Sequence, residues 1–229
     1  MKKSDTAIVI PVYNEEKVIK KTLKELLEKR PQDEIIVVDD GSTDNSYNEA
    51  CVKGVHLLRH IVNLGQGAAL QTGIDYAKKL GCKYVVTFDS DGQHCADDIE
   101  RFIEVLRRNE ADIVLCSRFL GKEAVNMPTA KKYLLKMAAF VERVLTGIPL
   151  TDAHNGFRAI NVQKFPNFVI TQNGMSHASE IIDLIKRLGM RYKELPCTIK
   201  YSDYSIQKGQ SMMNSINILI EFFLGKAVK

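Results

Sequence analysis

Asp89 and Asp91, one residue apart in the run Tyr84 to Gln93 (YVVTFDSDGQ), are by type and spacing the residues best suited to chemistry in this chain. An apolar strand delivers them, and ligands of an open α/β sheet collect beyond the carboxyl ends of its strands. Two carboxylates so close repel each other unless a cation or a ligand lies between them. A hard divalent ion, Mg²⁺ or Mn²⁺, held by Asp89, Asp91 and the amide oxygen of Gln93 would meet that need. Such ions take oxygen ligands and share them with substrate phosphates. The plainer reading is a solvated acidic turn, since D-x-D alone is a weak motif.

The elements that must position these residues follow from hydrophobic periodicity. Thr6 to Ile10 reads as a strand ended by Pro11, and Asn14, Glu15 and Glu16 as a helix start carrying Val18, Ile19, Leu23 and Leu26 at helical spacing. A strand at Glu34 to Val38 runs into DDGSTDNS, and a helix continues to about Lys53 with Gly54 as its stop. Strand Val55 to Leu58, the loop Asn63 to Gly67, a helix from about Ala68 to Leu80, a helix from about Asp97 to Arg108 and a strand Asp112 to Ser117 complete the alternation. Apolar strands separated by helices predict a doubly wound, mostly parallel α/β sheet. Pro11 to Glu15, Asp39 to Asp44, Asn63 to Gly67 and Asp89 to Gln93 each follow a strand, so all can converge on one edge. Independent acidic turns would fall at both ends of the strands, so this one-sided placement favours a site.

Beyond Arg118 the pattern changes. Lys131 to Leu145 reads as an amphipathic helix, Thr151 to Ile160 (TDAHNGFRAI) as a polar loop entering a short strand, and Ser179 to Leu188 as another helix. Arg191 to Ile199 reads as a strand whose Pro196 suits an edge or a bulge. A polar loop, YSDYSIQKGQS, precedes the apolar stretch Met212 to Leu224.

With 229 residues, 45% hydrophobic and 26% charged, the chain suits a single globular domain. Five cysteines, an odd number without a C-x-x-C pair, suggest neither a disulfide framework nor a zinc site, and a reducing cytoplasm fits best. The start of the chain is a strand and not a signal peptide, and no run approaches the roughly 20 apolar residues that cross a bilayer. A net charge of +4 is a poor argument for nucleic acid.

IPVYNEE, VVDDGSTD, NLGQGAAL, FDSDGQH, the Ser117–Arg118 pair and TDAHNGFRA stand in this order over nearly the whole chain. Together they resemble the inverting family 2 glycosyltransferases of GT-A fold, most closely the dolichyl-phosphate mannose synthase-like branch of bacterial and archaeal cell envelopes. The resemblance implies one GT-A domain over 1–229, with a nucleotide-sugar half (1–118) and an acceptor half (119–229). It implies that Pro11, Tyr13, Glu15, Val38, Asp40, Asp89 and Ser90 bind the nucleotide sugar. Asp89, Asp91 and Gln93 would hold Mg²⁺ or Mn²⁺ on the diphosphate, and Arg118 would face the diphosphate or sugar. Two departures stand out: Gln66 replaces the basic residue usual in N-x-G-K-G, and around Gly209 the phosphate-gripping positions are Ile206 and Met212, with Lys208 nearby.

The chemistry accounts for these residue types, because breaking a sugar–diphosphate bond exposes negative charge that a metal and a fixed guanidinium stabilise. Asp40 is suited to accept from a base edge or ribose. A hydroxyl acceptor would need a base, for which Asp152 is the candidate, with Glu180 behind it and Arg158 as an anion contact. The expected partners are a nucleotide sugar and a lipid-linked or saccharide acceptor, in envelope polysaccharide or glycolipid synthesis. A membrane-embedded partner protein and a second copy of the chain are further expectations, and nucleic acid is not expected.

Adhesion to the cytoplasmic membrane face is expected through the helix bearing Lys131, Lys132, Lys136 and Arg143, with Leu134, Leu135, Met137 and Val141 as its apolar side, and through Met212 to Leu224. A nucleotidyltransferase would want a glycine-rich basic loop after the first strand, which PVYNEE is not. A receiver module would end near 120 residues, and a non-catalytic nucleotide-sugar binder is the remaining alternative. Asp91→Ala is expected to abolish metal-dependent nucleotide binding and leave the fold intact. A variant that binds nucleoside diphosphate and Mn²⁺ as tightly as the parent would remove the metal from the assignment.

Overall fold

Thr6–Val12 (TAIVIPV), buried at every position, forms the central strand β1 in the computed structural model, which describes residues 4–120 and 129–199. Pro11 lies inside this strand and does not end it. Val9 O accepts from Phe88 N and Val12 O from Asp40 N, so β1 turns Val9 and Pro11 toward β4 (Tyr84–Thr87) and Val12 toward β2 (Glu34–Asp39). Register pairing with β4 stops at Val9 and Thr87, so Pro11, which has no N–H to donate, lies beyond the paired stretch.

The other strands are β3 (Val55–Arg59), β5 (Ile113–Ser117), β6 (Arg158–Asn161) and β7 (Tyr192–Pro196), giving the sheet order β3-β2-β1-β4-β6-β5-β7. Only β6 runs against its neighbours. The carboxyl ends of β1 to β5 thus share one edge with the 151–157 loop that feeds β6. Pro196 sits in the edge strand β7, as expected.

The helices are α1 (Ile19–Lys29), α2 (Ser46–Ala50), α3 (Gln66–Leu80), α4 (Asp98–Arg107), α5 (Thr129–Thr146) and α6 (His177–Arg187). Because strand side chains alternate, Val9, Ile36 and Val38 pack with Ile74 of α3 and Ile181 of α6. Ile8, Ile10, Ile35 and Val37 pack with Leu23 of α1 and Phe102 of α4 on the opposite face. The sheet is doubly wound, as the alternation predicts. At Gly73 a Cβ would overlap the Val9 side chain, so glycine there lets α3 lie close on β1.

Several boundaries differ from expectation. No helix begins at Asn14: that residue has a left-handed φ of 54°, and its Oδ1 accepts from Thr43 N at 2.9 Å. Glu16 likewise accepts from Asn45 N at 3.0 Å. These polar residues tie the loop after β1 to the loop after β2, and α1 starts only at Ile19. Helix α2 stops at Ala50 and does not reach Lys53, since Cys51 to Gly54 form the turn that returns the chain to β3.

Cys116 and Cys197 are bonded, with Cα atoms 5.8 Å apart, which corrects the expectation of no disulfide. They are 81 positions apart, and only the parallel pairing of β5 with β7 brings them together.

In α5 the apolar positions divide differently from expectation. Ala138 and Ala139 are buried with Glu142, whereas Tyr133, Met137, Phe140 and Val144 point outward. The side chains of Lys131 and Leu134 lie outside the described residues, as do Ile206, Lys208, Gly209 and the stretch Met212 to Leu224.

Candidate active site

The shared edge begins with a loop held by one carboxylate. Asp40, at the end of β2, is buried, and its Oδ1 accepts from Leu64 N at 2.9 Å while its Oδ2 accepts from Gly65 N at 2.7 Å. His60 Nδ1 lies 2.7 Å from Oδ1, and His60 Nε2 lies 2.9 Å from Thr72 Oγ1. The side chain expected to meet a base or ribose thus fastens the 60–65 loop to α3. Pro11 and Val38 are register partners in β1 and β2, and Tyr13 stands exposed at the rim. Glu15 and Ser90 are buried; Glu15 N donates to Ser46 Oγ at 2.6 Å, and Ser90 O accepts from Thr22 Oγ1 at 3.4 Å.

Asp89 and Asp91 sit where strand β4 gives way to its loop. Gln66 Nε2 donates to Asp89 Oδ1 at 3.3 Å, and His94 Nε2 lies 2.8 Å from Oδ2. Burial acts to raise the Asp89 carboxyl, but the His94 hydrogen bond and the Arg158 charge outweigh it and hold it below the usual range. Asp91 is pushed up to about 6, first by burial and then by the Asp89 charge, with Glu15 adding to the repulsion. Gln93 enters through its backbone, whose N–H donates to Asp91 Oδ1 at 3.0 Å. Among the described residues no third His, Cys, Asp or Glu joins these two to make a complete metal site. Two mutually repelling carboxylates still suit a hard divalent ion that takes its remaining oxygens from phosphates and water.

The first turn of helix α3 is occupied in part by the chain itself. Asn173 O accepts from Gly67 N at 2.7 Å and from Ala68 N at 3.3 Å. A Cβ on Gly67 would overlap Gln172 O, so only glycine admits this contact. Gln66, where the resembled branch usually has a basic residue, turns its side chain to Asp89.

On the other side of the edge Arg118 and Asp152 form a two-pronged pair. Arg118 Nε and Nη2 donate to Asp152 Oδ2 and Oδ1, each at 2.6 Å, and Arg118 N donates to Oδ2 at 3.1 Å. Although burial alone would raise its carboxyl, Arg118 holds the 3% exposed Asp152 below the usual range. Glu194 fixes the same loop by accepting from Thr151 N and Asp152 N. Asp152 thus fixes the position of the Arg118 guanidinium. Glu180 is not behind it: its carboxylate accepts from Thr171 N and Gln172 N, holding the loop before α6.

Arg158 lies under the edge, 2% exposed, at the register position between Thr87 and Leu115. Its Nη2 donates to Ala153 O at 3.3 Å, and Nη1 has no hydrogen-bond partner among the described residues. Burial draws its guanidinium down to about 10, against the pull of Asp89 and Asp152.

Sequence reasoning missed the polar groups around Arg158. His154 Nε2 lies 3.4 Å from Ser179 Oγ and 3.9 Å from Glu142 Oε1, and Ser179 Oγ donates to Glu142 Oε1. His177 Nδ1 lies 2.8 Å from Gly174 O. Both histidines are drawn down to about 4, chiefly by burial and then by the Arg158 charge. No local pattern announces them, because α5, α6 and the 151–157 loop meet only in three dimensions. His94 did carry a signal, its place in FDSDGQH beside the aspartates.

The sheet order, the one-sided edge and the acid pair define a sugar-nucleotide type of doubly wound domain, the GT-A fold. The fold is shared with a crystal structure of glucosyl-3-phosphoglycerate synthase from Mycobacterium tuberculosis in complex with Mn²⁺, uridine diphosphate and phosphoglyceric acid. That structure is 17% identical, with a TM-score of 0.69 over 96% of this chain and 78% of the other. The sequence model described as Glycosyl transferase family 2 matches residues 7–168, and the chain belongs to that family. It is 32% identical to the UDP-N-acetylglucosamine–dolichyl-phosphate N-acetylglucosaminyltransferase of Methanococcus voltae, over 97% of this chain and 96% of the relative. It is 30% identical to the undecaprenyl-phosphate mannosyltransferase of Micrococcus luteus, over 83% and 81%.

The buried histidines make stability pH-dependent. A folded-state value near 4 against an ordinary 6.5 means that the unfolded chain binds more protons between those limits. Their contribution is complete above about pH 6.5 and is lost as the pH falls toward 4. In urea unfolding at pH 7 and pH 5, the parent is expected to lose about 2 kcal/mol more than His154→Gln on acidification. Parallel losses in parent and variant would show that His154 is not held neutral.

Proposed function

We propose that this chain moves a sugar from a nucleotide-diphosphate sugar to a polyprenyl phosphate, with inversion at the anomeric carbon. The observation that carries this reading is the Arg118–Asp152 pair facing the edge where Asp89 and Asp91 end their strand. A phosphate acceptor is already ionised, whereas a hydroxyl must lose a proton to a base. Asp152, with each oxygen on the Arg118 guanidinium, suits the first case. The names of the polyprenyl- and dolichyl-phosphate transferases among the relatives support the same acceptor class.

In the reaction an acceptor phosphate oxygen forms a bond to the anomeric carbon from the face opposite the diphosphate. The carbon–oxygen bond to the diphosphate breaks, and its electron pair leaves with the nucleoside diphosphate. Arg118, oriented by Asp152, meets the charge that develops. Asp89 and Asp91, with Gln93 in the same loop, would hold Mg²⁺ or Mn²⁺, which supplies Lewis-acid stabilisation of that charge when bound. Pro11, Tyr13, Glu15, Val38 and Ser90 would form the nucleotide cleft, with Asp40 shaping its wall through the 60–65 loop. Residues 1–118 would serve the donor and 119–229 the acceptor, in envelope polysaccharide or glycolipid synthesis. The chain is to be incubated with Mn²⁺, undecaprenyl phosphate in detergent, and labelled UDP-N-acetylglucosamine, UDP-glucose or GDP-mannose. Label is expected in the organic phase with equimolar nucleoside diphosphate, and Arg118→Ala is expected to slow transfer at least about 100-fold. Label passing only to soluble saccharides would overturn the acceptor.

The acceptor lives in a membrane, and the outward stripe of α5 supports work at its cytoplasmic surface. Tyr133, Met137, Phe140 and Val144 recur every three or four residues, so they share one face, with Lys132, Lys136 and Arg143 also exposed. Among the described residues no helix is long and apolar enough to cross a membrane. The protein is expected to float with anionic liposomes at low salt and less so at high salt, and Met137→Glu with Phe140→Glu is expected to stay at the bottom of the gradient. Equal flotation of parent and double variant would remove α5 from the contact.

A further inference from the structure

His94 is buried beside the acid pair, its side chain only 4% exposed. Its ring lies between Phe88 and Phe157, with centroids 5.4 and 5.3 Å away. Nε2 is 2.8 Å from Asp89 Oδ2, while Nδ1 has no hydrogen-bond partner among the described residues. A carboxylate only accepts, so Nε2 carries the proton. A half-turn of the ring would bring carbon to Asp89 and leave both nitrogens in the aromatic box. The backbone is fixed too, through the bridge from His94 to Ile199. Gln66 holds the other oxygen of Asp89, and a Cβ on Gly156 would overlap the same carboxylate, so glycine there leaves room for it.

We propose that His94 is a positioning residue: it fixes the Asp89 carboxylate, against repulsion from Asp91, in the orientation that receives the cation and diphosphate of the donor. The inference rests on the donor site of the proposed function. A carboxylate with one hydrogen bond on each oxygen keeps lone pairs for a cation while losing its freedom to rotate. Groups that orient a metal ligand in this way are commonly worth 10- to 100-fold in affinity.

The test compares His94→Phe, which fills the box without a donor, with His94→Gln, whose amide nitrogen can reproduce Nε2–H. Mn²⁺ is titrated in the presence of saturating UDP, with GDP as a second probe, and free Mn²⁺ is read by electron paramagnetic resonance. His94→Phe is expected to weaken Mn²⁺ binding about 10-fold or more. His94→Gln is expected to stay within about threefold of the parent, and both variants to remain folded without metal by circular dichroism. If His94→Phe does not fold, His94→Asn, too short to reach Asp89, gives the same readout. Parent-like Mn²⁺ affinity in the variants that lack the donor, with the parent binding well, overturns the inference and leaves the proposed function standing. Equal weakening in the Gln variant also overturns it. A parent that binds no Mn²⁺ with either nucleotide overturns the functional reading and this inference with it.

Discussion

Two carboxylates held close at the end of one strand against their mutual repulsion set the terms for the rest of this molecule. Asp89 and Asp91 cannot both be comfortable there: one is kept ionised by His94 and Arg158, and the other is pushed up to about 6. Burying charge costs free energy unless partners or a ligand offset it. The protein answers on the Asp89 side with Gln66, His94 and the charge of Arg158. On the Asp91 side, the Gln93 backbone N–H and the charge of His94 act against burial and the Asp89 charge. Repulsion of this kind is relieved by a cation between the carboxylates or by protonation of one of them.

The same electrostatic reasoning links the two halves of the edge. Arg158 lies beneath both, attracted to Asp89 on one side and Asp152 on the other. Arg118, above it, is held by Asp152 with two short hydrogen bonds and a third from its own backbone. A guanidinium fixed this way loses little entropy when it meets an anion, because its planar fork is already oriented. The neutrality of His154 and His177 follows, since further positive charge beside a buried arginine would add repulsion to desolvation.

Packing between the halves is set by backbone as much as by side chains. Asn173 O closes the first turn of α3, and Glu180 holds residues 171 and 172 in place to do so. Gly67 must lack a Cβ for that approach. Helix α3, which packs under β1 through Gly73, is thereby tied to α6 in the second half. Among the described residues, α5 carries an exposed apolar stripe turned away from the core.

Much of this architecture was legible in the order of residues. Continuous apolar runs with helical periods between them announce a doubly wound sheet, because strands buried on both faces cannot alternate with polar residues. The edge on which Asp89, Asp91 and Arg118 gather follows from the same pattern, since each polar cluster succeeds a strand. What the order of residues could not decide was partnership. Asp152 reads as a base or as a cap of its own loop, and only the fold shows Arg118 on both its oxygens; Asp40 reads as a contact for a base or ribose, and only the fold shows the 60–65 backbone donating to it. Cys116 and Cys197, and the meeting of His154 with Glu142 and Ser179, depend on elements far apart in the chain. Local periodicity determines which face of an element is buried. Which polar groups then share that burial is decided only when desolvation forces each to find a partner in the folded chain.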